Sequence, residues 1–165
     1  MKNTKSIRYI TYTAIIAAIY VVLTYLTNLL GLANGAVQCR LSEAMCVLPA
    51  FTPAAVPGLF VGCLLSNILT GCALPDVIFG SVATLLGAYG TLVLAKSKCS
   101  MYLFSVPSIL SNTLILPFVL KYAYGLMGGL VYFAVTVFIG EIISCGVLGT
   151  LLYTSLEKKS TYLFK

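Results

Sequence analysis

Three acidic side chains stand inside or beside long apolar stretches, where an ionisable group is costly and usually faces a cavity or a partner. They are Glu43, Asp76 and Glu141, and Arg40 lies three residues before the first of them. Carboxylates and a guanidinium form strong, often bidentate hydrogen bonds with polar ligands. These residue types therefore predict a binding site for a small polar molecule that carries several hydrogen-bond donors.

Each of these residues also has a purely structural interpretation. Arg40 and Glu43 share one helix face and could form an ion pair at the membrane interface. Asp76 follows Pro75 at the start of a helix, where a carboxylate can cap free backbone N–H groups. Glu141 lies too deep in its helix for capping, so it either contacts a ligand or forms half of a buried pair. Because no basic residue lies nearby in the same helix to neutralise it, we expect the ligand contact.

Amide side chains extend the candidate site. Asn67 and Asn112 fall within apolar helices, where an amide can bond a neighbouring helix or a flat heterocycle. The helix order places one group of polar residues toward the outer face, namely Gln38, Arg40, Glu43, Asn67 and Asp76, and it places Asn112 and Glu141 nearer the middle. We expect a pocket that opens outward, in which a carboxylate could pair with adjacent N–H groups of a guanine-like ring edge.

Several kinds of chemistry are excluded by the sequence. The chain contains no histidine, which excludes Ser-His-Asp and Cys-His catalysis and the His-Glu-x-x-His zinc site. It has no Gly-x-x-x-x-Gly-Lys-Ser/Thr loop for ATP phosphates. Its six cysteines show no Cys-x-x-Cys pair and no metal-ligand spacing, and a disulfide between Cys39 and Cys72 is left open. We therefore expect a protein that is not an enzyme and that uses no metal or cofactor.

The composition indicates a membrane protein. Among 165 residues, 60% are hydrophobic and 8% are charged, whereas soluble domains carry roughly 25% charged residues. Long charge-free stretches are separated by a few charges, and prolines split the second stretch into two helices. We predict an all-α, six-helix transmembrane bundle in a single domain, 1–165, with helices at 9–30, 41–51, 53–70, 76–95, 101–120 and 126–153.

The basic residues support six helices with both termini in the cytoplasm. In this arrangement eight of the ten basic residues lie inside, and only Arg40 and Lys121 lie outside. Joining the two proline-separated helices would give five spans and would move Lys96 and Lys98 outside, against the positive-inside rule.

Small residues at helical spacing predict close helix contacts. Ala14 and Ala18 form an Ala-x-x-x-Ala face on the first helix, and Gly58 and Gly62 form a similar stripe on the third. For the glycines, packing inside the bundle is a sufficient explanation. For the alanines, the face could either pack internally or dock another membrane protein.

Four motifs resemble the QueT transporter family. They read VQCRLSEAMCVLP at 37–49, PGLFVGCLLSN at 57–67, DVIFGSVATLL at 76–86 and GEIISCGVLG at 140–149. The resemblance implies the substrate-binding (S) component of an energy-coupling factor (ECF) transporter, which binds a queuosine precursor of the 7-deazaguanine type on its outer side. It also implies a transmembrane coupling subunit and two ATPases as partners, with Ala14 and Ala18 as the docking face for the coupling subunit.

Other functions remain open. The same scaffold could serve another vitamin-like molecule, since fold does not determine ligand. Alternatively, a small ion-coupled carrier could use Glu141 as a titrating group in the middle of the membrane. In each case we expect a multi-pass protein of a prokaryotic cell membrane with no nucleic-acid partner.

Overall fold

All regular secondary structure in the described part of the chain is helical, as the sequence predicted. The structure, a computed structural model, describes residues 2–31, 40–97 and 99–159. The elements are α1 (Lys2–Leu29), a 3-10 helix (Leu41–Ala50), α2 (Ala55–Leu69), α3 (Leu74–Lys96), a 3-10 turn (Met101–Leu103), α4 (Val106–Tyr122) and a C-terminal helix (Leu130–Glu157). The C-terminal helix comprises α5 (Leu130–Glu141), a π-helical segment (Ile142–Leu148) and α6 (Gly149–Glu157).

Four helical stretches are long and apolar enough to cross a membrane, and two others are shorter. The long ones are Thr4–Leu29, Leu74–Lys96, Met101–Tyr122 and Leu130–Glu157. The 3-10 helix has 10 residues and α2 has 15, so neither reaches the roughly 20 residues of a full span. The described chain thus has six main helical segments, of which two are short.

The 3-10 helix accounts for the main difference from the predicted elements. Its residues Ser42 to Pro49 are all buried, and Pro49 lies near its end. A buried, proline-containing segment satisfies its backbone with local bonds and packs against the surrounding helices, so it does not need the length of a span. The sequence predicted an ordinary helix at 41–51, and it did not reveal this tighter form.

Successive helices run in opposite directions, so the bundle has two distinct ends. At one end, the hydroxyl of Thr13 donates a hydrogen bond to the carbonyl of Ala54 (3.2 Å), and the rings of Phe51 and Tyr153 stack with centroids 4.8 Å apart. At the other end, the phenol oxygen of Tyr124 accepts a hydrogen bond from the backbone N–H just before α3 (3.2 Å). The beginning of α1 and the end of the C-terminal helix therefore share the first end.

Close packing between α1 and α2 depends on glycine. A Cβ at Gly62 would lie 2.8 Å from the Cβ of Tyr20 and 3.1 Å from the Cα of Ala17, and a Cβ at Gly58 would lie 3.0 Å from Ile16. Only the absence of these side chains allows the two backbones to approach so closely. The expectation that Gly58 and Gly62 serve internal packing is confirmed.

Candidate functional site

A cavity of about 300 Å³ lies at the end of the bundle opposite to the beginning of α1. It forms where the ends of α1, α2 and α4 meet the start of α3, so side chains distant in sequence converge on it. Its polar wall includes Thr24, Asn28, Arg40, Asn67, Asp76 and Tyr124. With Thr70, which also lines it, the wall combines one guanidinium, one carboxylate, two amides and three hydroxyls, which can hold a small polar molecule.

The charged part of the wall is built around Asp76. Nη2 of Arg40 lies 3.9 Å from Oδ2 of Asp76, and the phenol of Tyr124 donates a hydrogen bond to the same oxygen (2.8 Å). Tyr124 lies just after α4, and burial together with the neighbouring Asp76 carboxylate raises the pKa of this phenol above its usual range. Tyr124 is therefore a neutral hydrogen-bond donor.

The second oxygen of Asp76 is a buried acceptor without a donor. Oδ1 has no hydrogen-bond partner among the described residues. It lies beside Gly80, where an added Cβ would be 3.1 Å from Oδ1 and 3.3 Å from Nδ2 of Asn67. The Asn67 amide nitrogen itself lies 3.5 Å from the backbone carbonyl of Asp76. An unmet buried acceptor is uncommon in folded proteins and calls for a specific explanation.

A second layer of polar side chains lies deeper in the bundle than the cavity. The phenol of Tyr20, one turn before Thr24, donates to Oε1 of Glu43 (2.5 Å). Nδ2 of Asn112 donates to Oε1 of Glu141 (2.9 Å), and the thiol of Cys145 donates to Oε2 of Glu141 (3.0 Å). Four elements, α1, the 3-10 helix, α4 and the C-terminal helix, are thereby joined around two buried carboxylates.

The two carboxylates of this layer lie close to each other. Ligand atoms of Glu43, Glu141 and Cys145 all fall within 4.8 Å of one another, and all three residues are buried. Two ionised carboxylates at this separation repel strongly in a low-dielectric interior, so the pair is favoured when it shares a proton or a cation. The structure thus gives Glu141 a like-charged neighbour, Glu43, which the sequence did not predict.

The structure divides the predicted site residues into two groups. Arg40, Asn67 and Asp76 line the cavity, whereas Glu43, Asn112 and Glu141 form the deeper layer. Gln38 and Cys39 lie outside the described residues. Cys72, which lines the cavity, has a free thiol whose sulfur is 3.5 Å from the hydroxyl of Thr70.

Two structural interpretations from the sequence are corrected. Arg40 forms its ion pair with Asp76 and not with Glu43, because the 3-10 helix turns the Glu43 side chain toward Tyr20. Asp76 does not cap α3, since Oδ2 is bound to Tyr124 and Oδ1 has no partner in the described part of the chain. In both cases a partner that is distant in sequence replaces the local one.

Sequence reasoning missed the contribution of α1 and of the segment after α4. Tyr20, Thr24 and Asn28 follow one another at intervals of four residues on an otherwise apolar helix, which is the signal for a polar stripe on one face. Tyr124 carried no comparable signal, because a tyrosine next to a membrane helix is typical of the lipid interface.

The small-residue face of α1 points away from the bundle. Ala14 and Ala18 are exposed, whereas Ile16, Ala17 and Tyr20 on the opposite side are buried. The alanine pair is therefore not used for packing within the described part of this chain.

Comparisons with known proteins give a consistent result. A family model described as QueT transporter matches residues 10–158. The queuosine precursor transporter QueT of Lactococcus lactis subsp. cremoris (strain MG1363) is 35% identical over 85 residues, which make up 52% of this chain and 49% of the relative. The chain thus spans about half the length of the curated relative it matches. No solved structure gives a significant match.

Proposed function

Because this chain belongs to the QueT transporter family, we propose that it binds a queuosine precursor of the 7-deazaguanine type in the cavity beside Asp76. The family expected from the sequence is confirmed. So is the expected location, since four long apolar helices are those of a multi-pass membrane protein and the Lactococcus relative supports a prokaryotic cell membrane.

The observation that carries this proposal is the polar cavity at one end of an otherwise apolar bundle. Its wall combines the Arg40 guanidinium, the Asp76 carboxylate and the Asn28 and Asn67 amides. A flat heterocycle that bears ring N–H, carbonyl and amino groups can form a hydrogen bond with each of these side chains. The deeper layer, with Glu43, Asn112 and Glu141, supports the cavity from below, and Gln38 is a further candidate contact.

We assign the cavity to the outer face of the membrane and both termini to the cytoplasm. Lys5, Arg8, Lys96 and Lys158 lie at the end of the bundle opposite to the cavity, and Arg40 and Lys121 lie near the cavity. The positive-inside rule places the lysine-rich end in the cytoplasm. A ligand would then enter the cavity from outside the cell.

We further propose that the chain acts as the S component of an ECF importer, with a coupling subunit and two ATPases. The sequence contains no phosphate-binding loop, so ATP-driven uptake requires other chains. The exposed Ala14 and Ala18 offer a flat surface on which another membrane helix could pack closely. The same helix carries Thr24 and Asn28 in the cavity wall, so docking and ligand binding share one rigid element.

Two measurements test this function. The purified full chain in detergent should bind 7-deazaguanine compounds by isothermal titration calorimetry, and co-expression with a coupling subunit and ATPases should give a stable complex that takes up the ligand when ATP is added. Absence of binding for every 7-deazaguanine tested would contradict the ligand assignment. Uptake by the chain alone, without ATPases, would contradict the S-component role.

An ion-coupled carrier is the second candidate, and the Glu43–Glu141 pair favours it. Two buried carboxylates whose ligand atoms lie within 4.8 Å can exchange a proton or a cation as part of a transport cycle. Proteoliposomes that contain only this chain distinguish the two functions. Uptake that follows an imposed pH or sodium gradient supports the carrier, and uptake that requires ATP and the partner subunits supports the S component.

A further inference from the structure

We propose that Arg40 and Asp76 together recognise the lactam edge of the ligand ring, an adjacent carbonyl and N–H, and that they do not bind a charged arm of the ligand. This inference rests on the proposed function, because it concerns the cavity assigned above to a 7-deazaguanine compound. It goes further by stating which part of such a compound the charged residues contact.

The separation of the two charged groups leaves room for a ligand to bridge them. Arg40 Nη2 and Asp76 Oδ2 are 3.9 Å apart, which is beyond hydrogen-bond distance. The guanidinium has five N–H donors and no acceptor, so it can donate to a ligand carbonyl while it stays close to Asp76. Its side chain is 16% exposed where it lines the cavity, so it can be reached.

Asp76 supplies the complementary acceptor. Its Oδ2 is already bound to Tyr124, whereas its Oδ1 has no donor among the described residues. An ionised carboxylate can only accept, so a ligand N–H is the chemical group that would satisfy Oδ1. Asp76 lines the cavity, and rotation about the last torsion of an aspartate side chain is soft, so a small rotation can turn this oxygen toward a ligand.

The charge balance of the wall argues for a neutral ring edge. Arg40 and Asp76 are the only charged residues that line the cavity in the described part of the chain, and their charges cancel. An ammonium group at Asp76 would also lie beside the Arg40 guanidinium, and two like charges this close repel each other. A lactam edge avoids this repulsion and offers an acceptor to Arg40 and a donor to Asp76.

The decisive experiment compares two ligands that share the ring edge. The probes are 7-deazaguanine and its 7-aminomethyl derivative, and their dissociation constants are measured by calorimetry on the full chain in detergent. In Asp76→Asn, we expect the Tyr124 hydroxyl to keep donating to residue 76, because its oxygen already accepts from the Ala73 N–H. The amide oxygen therefore occupies the Oδ2 position, and the NH2 group replaces Oδ1 as a donor that faces the ligand N–H.

We expect Asp76→Asn to weaken both probes by the same factor, about tenfold or more, so that the ratio of their dissociation constants does not change. Selective loss of the aminomethyl probe would overturn the inference, because Asp76 would then bind the cationic arm. Unchanged affinity for both probes would overturn it as well.

A third probe makes the test independent of how the variant folds. Methylation of the lactam nitrogen removes the N–H, so wild-type protein should bind this compound about tenfold or more weakly, and Asp76→Asn should add little further loss. Lys96→Gln and Glu157→Gln remove single charges at the end of the bundle opposite to the cavity and should leave all three affinities unchanged. If the methylated probe binds wild type as well as 7-deazaguanine does, the lactam assignment is wrong. If wild type binds none of the probes, the proposed function itself fails.

Discussion

The guanidinium of Arg40 lies 3.9 Å from the carboxylate of Asp76, and this contact links the start of the 3-10 helix to the first turn of α3. The backbone N–H of Arg40 also donates to the hydroxyl of Ser144 (3.1 Å), which ties the same residue to the C-terminal helix. Three residues later, Glu43 joins the deeper layer through Tyr20. One short stretch of chain, 40–43, therefore positions both the cavity wall and the polar layer below it.

Arg40→Ala should weaken ligand binding by about 1–3 kcal/mol, because a charge-assisted hydrogen bond to the ligand is lost. The variant should also be less thermally stable, since the buried Asp76 carboxylate loses its ion-pair partner. Affinity is best measured well below the unfolding temperature, so that both proteins are fully folded. Lys96→Ala, which removes a positive charge at the opposite end of the bundle, is the matched control. A lower unfolding temperature with unchanged affinity would assign Arg40 a structural role only.

Glu141→Gln should affect ligand binding less than Asp76→Asn does. The ligand contact of Glu141 that the sequence predicts stays a prediction. In the structure its carboxylate lies in the deeper layer, where it accepts hydrogen bonds from Asn112 and Cys145. The glutamine can still accept the hydrogen bond from Asn112, and it removes the repulsion with Glu43. The unfolding temperature should therefore stay the same or rise. Calorimetry and thermal unfolding in detergent check both points. A larger loss of affinity for Glu141→Gln than for Asp76→Asn would make Glu141 the principal ligand contact.

The sequence predicted the helices well where charges and prolines mark their ends. The charge-free stretch between Asp76 and Lys96 corresponds closely to α3. Charged side chains are rare in the middle of a helix that is buried or that spans a membrane, so they mark its ends. The two short segments were harder, since a buried 3-10 helix and a buried α-helix have the same apolar composition. The π-helical segment after Glu141 has no compositional mark either.

The residue types of the site were also predictable, but their partners were not. The rarity of charged residues in apolar stretches identified Arg40, Glu43, Asp76 and Glu141 as unusual. Spacing along the sequence shows only which residues share a helix face or start a helix. It therefore suggested an ion pair between Arg40 and Glu43 and a capping role for Asp76. The actual partners are distant in sequence, and only the packing of the bundle brings them together.

Gly62→Ala should destabilise the protein, because the new Cβ would lie 2.8 Å from the Cβ of Tyr20 and 3.1 Å from the backbone of Ala17. Forcing α1 and α2 apart in this way costs about 1–3 kcal/mol. Gly146→Ala is the matched control, since its Cβ would have only one neighbour, at 3.8 Å, in ordinary van der Waals contact. Thermal unfolding of both variants in detergent should show a loss for the first and none for the second. Equal unfolding temperatures would show that the α1–α2 contact adapts without strain.

Tyr124 should titrate above the ordinary tyrosine range, because burial and the Asp76 carboxylate disfavour its phenolate. The folded-state pKa exceeds the unfolded-state value, so the contribution of this phenol to stability is complete below about pH 10 and is lost as the pH rises toward the folded pKa. The difference in phenolate absorbance between wild type and Tyr124→Phe isolates this one side chain. A difference spectrum that develops below pH 10 would show that the phenol is not held by Asp76 in solution.

Ala18→Trp should abolish ATP-driven uptake while ligand binding by the isolated chain stays intact. Ala18 and Ala14 are exposed on the face of α1 that points away from the bundle, so a large ring there disturbs no internal contact. If this face docks the coupling subunit, the ring prevents the close approach of helices that small residues allow. Leu114→Trp, at an exposed position of α4, is the control and should leave uptake unchanged. Co-purification with the coupling subunit should be lost for Ala18→Trp alone. Normal uptake by that variant would place the docking surface elsewhere, and loss of ligand binding in a folded Ala18→Trp protein would show that the face does more than dock.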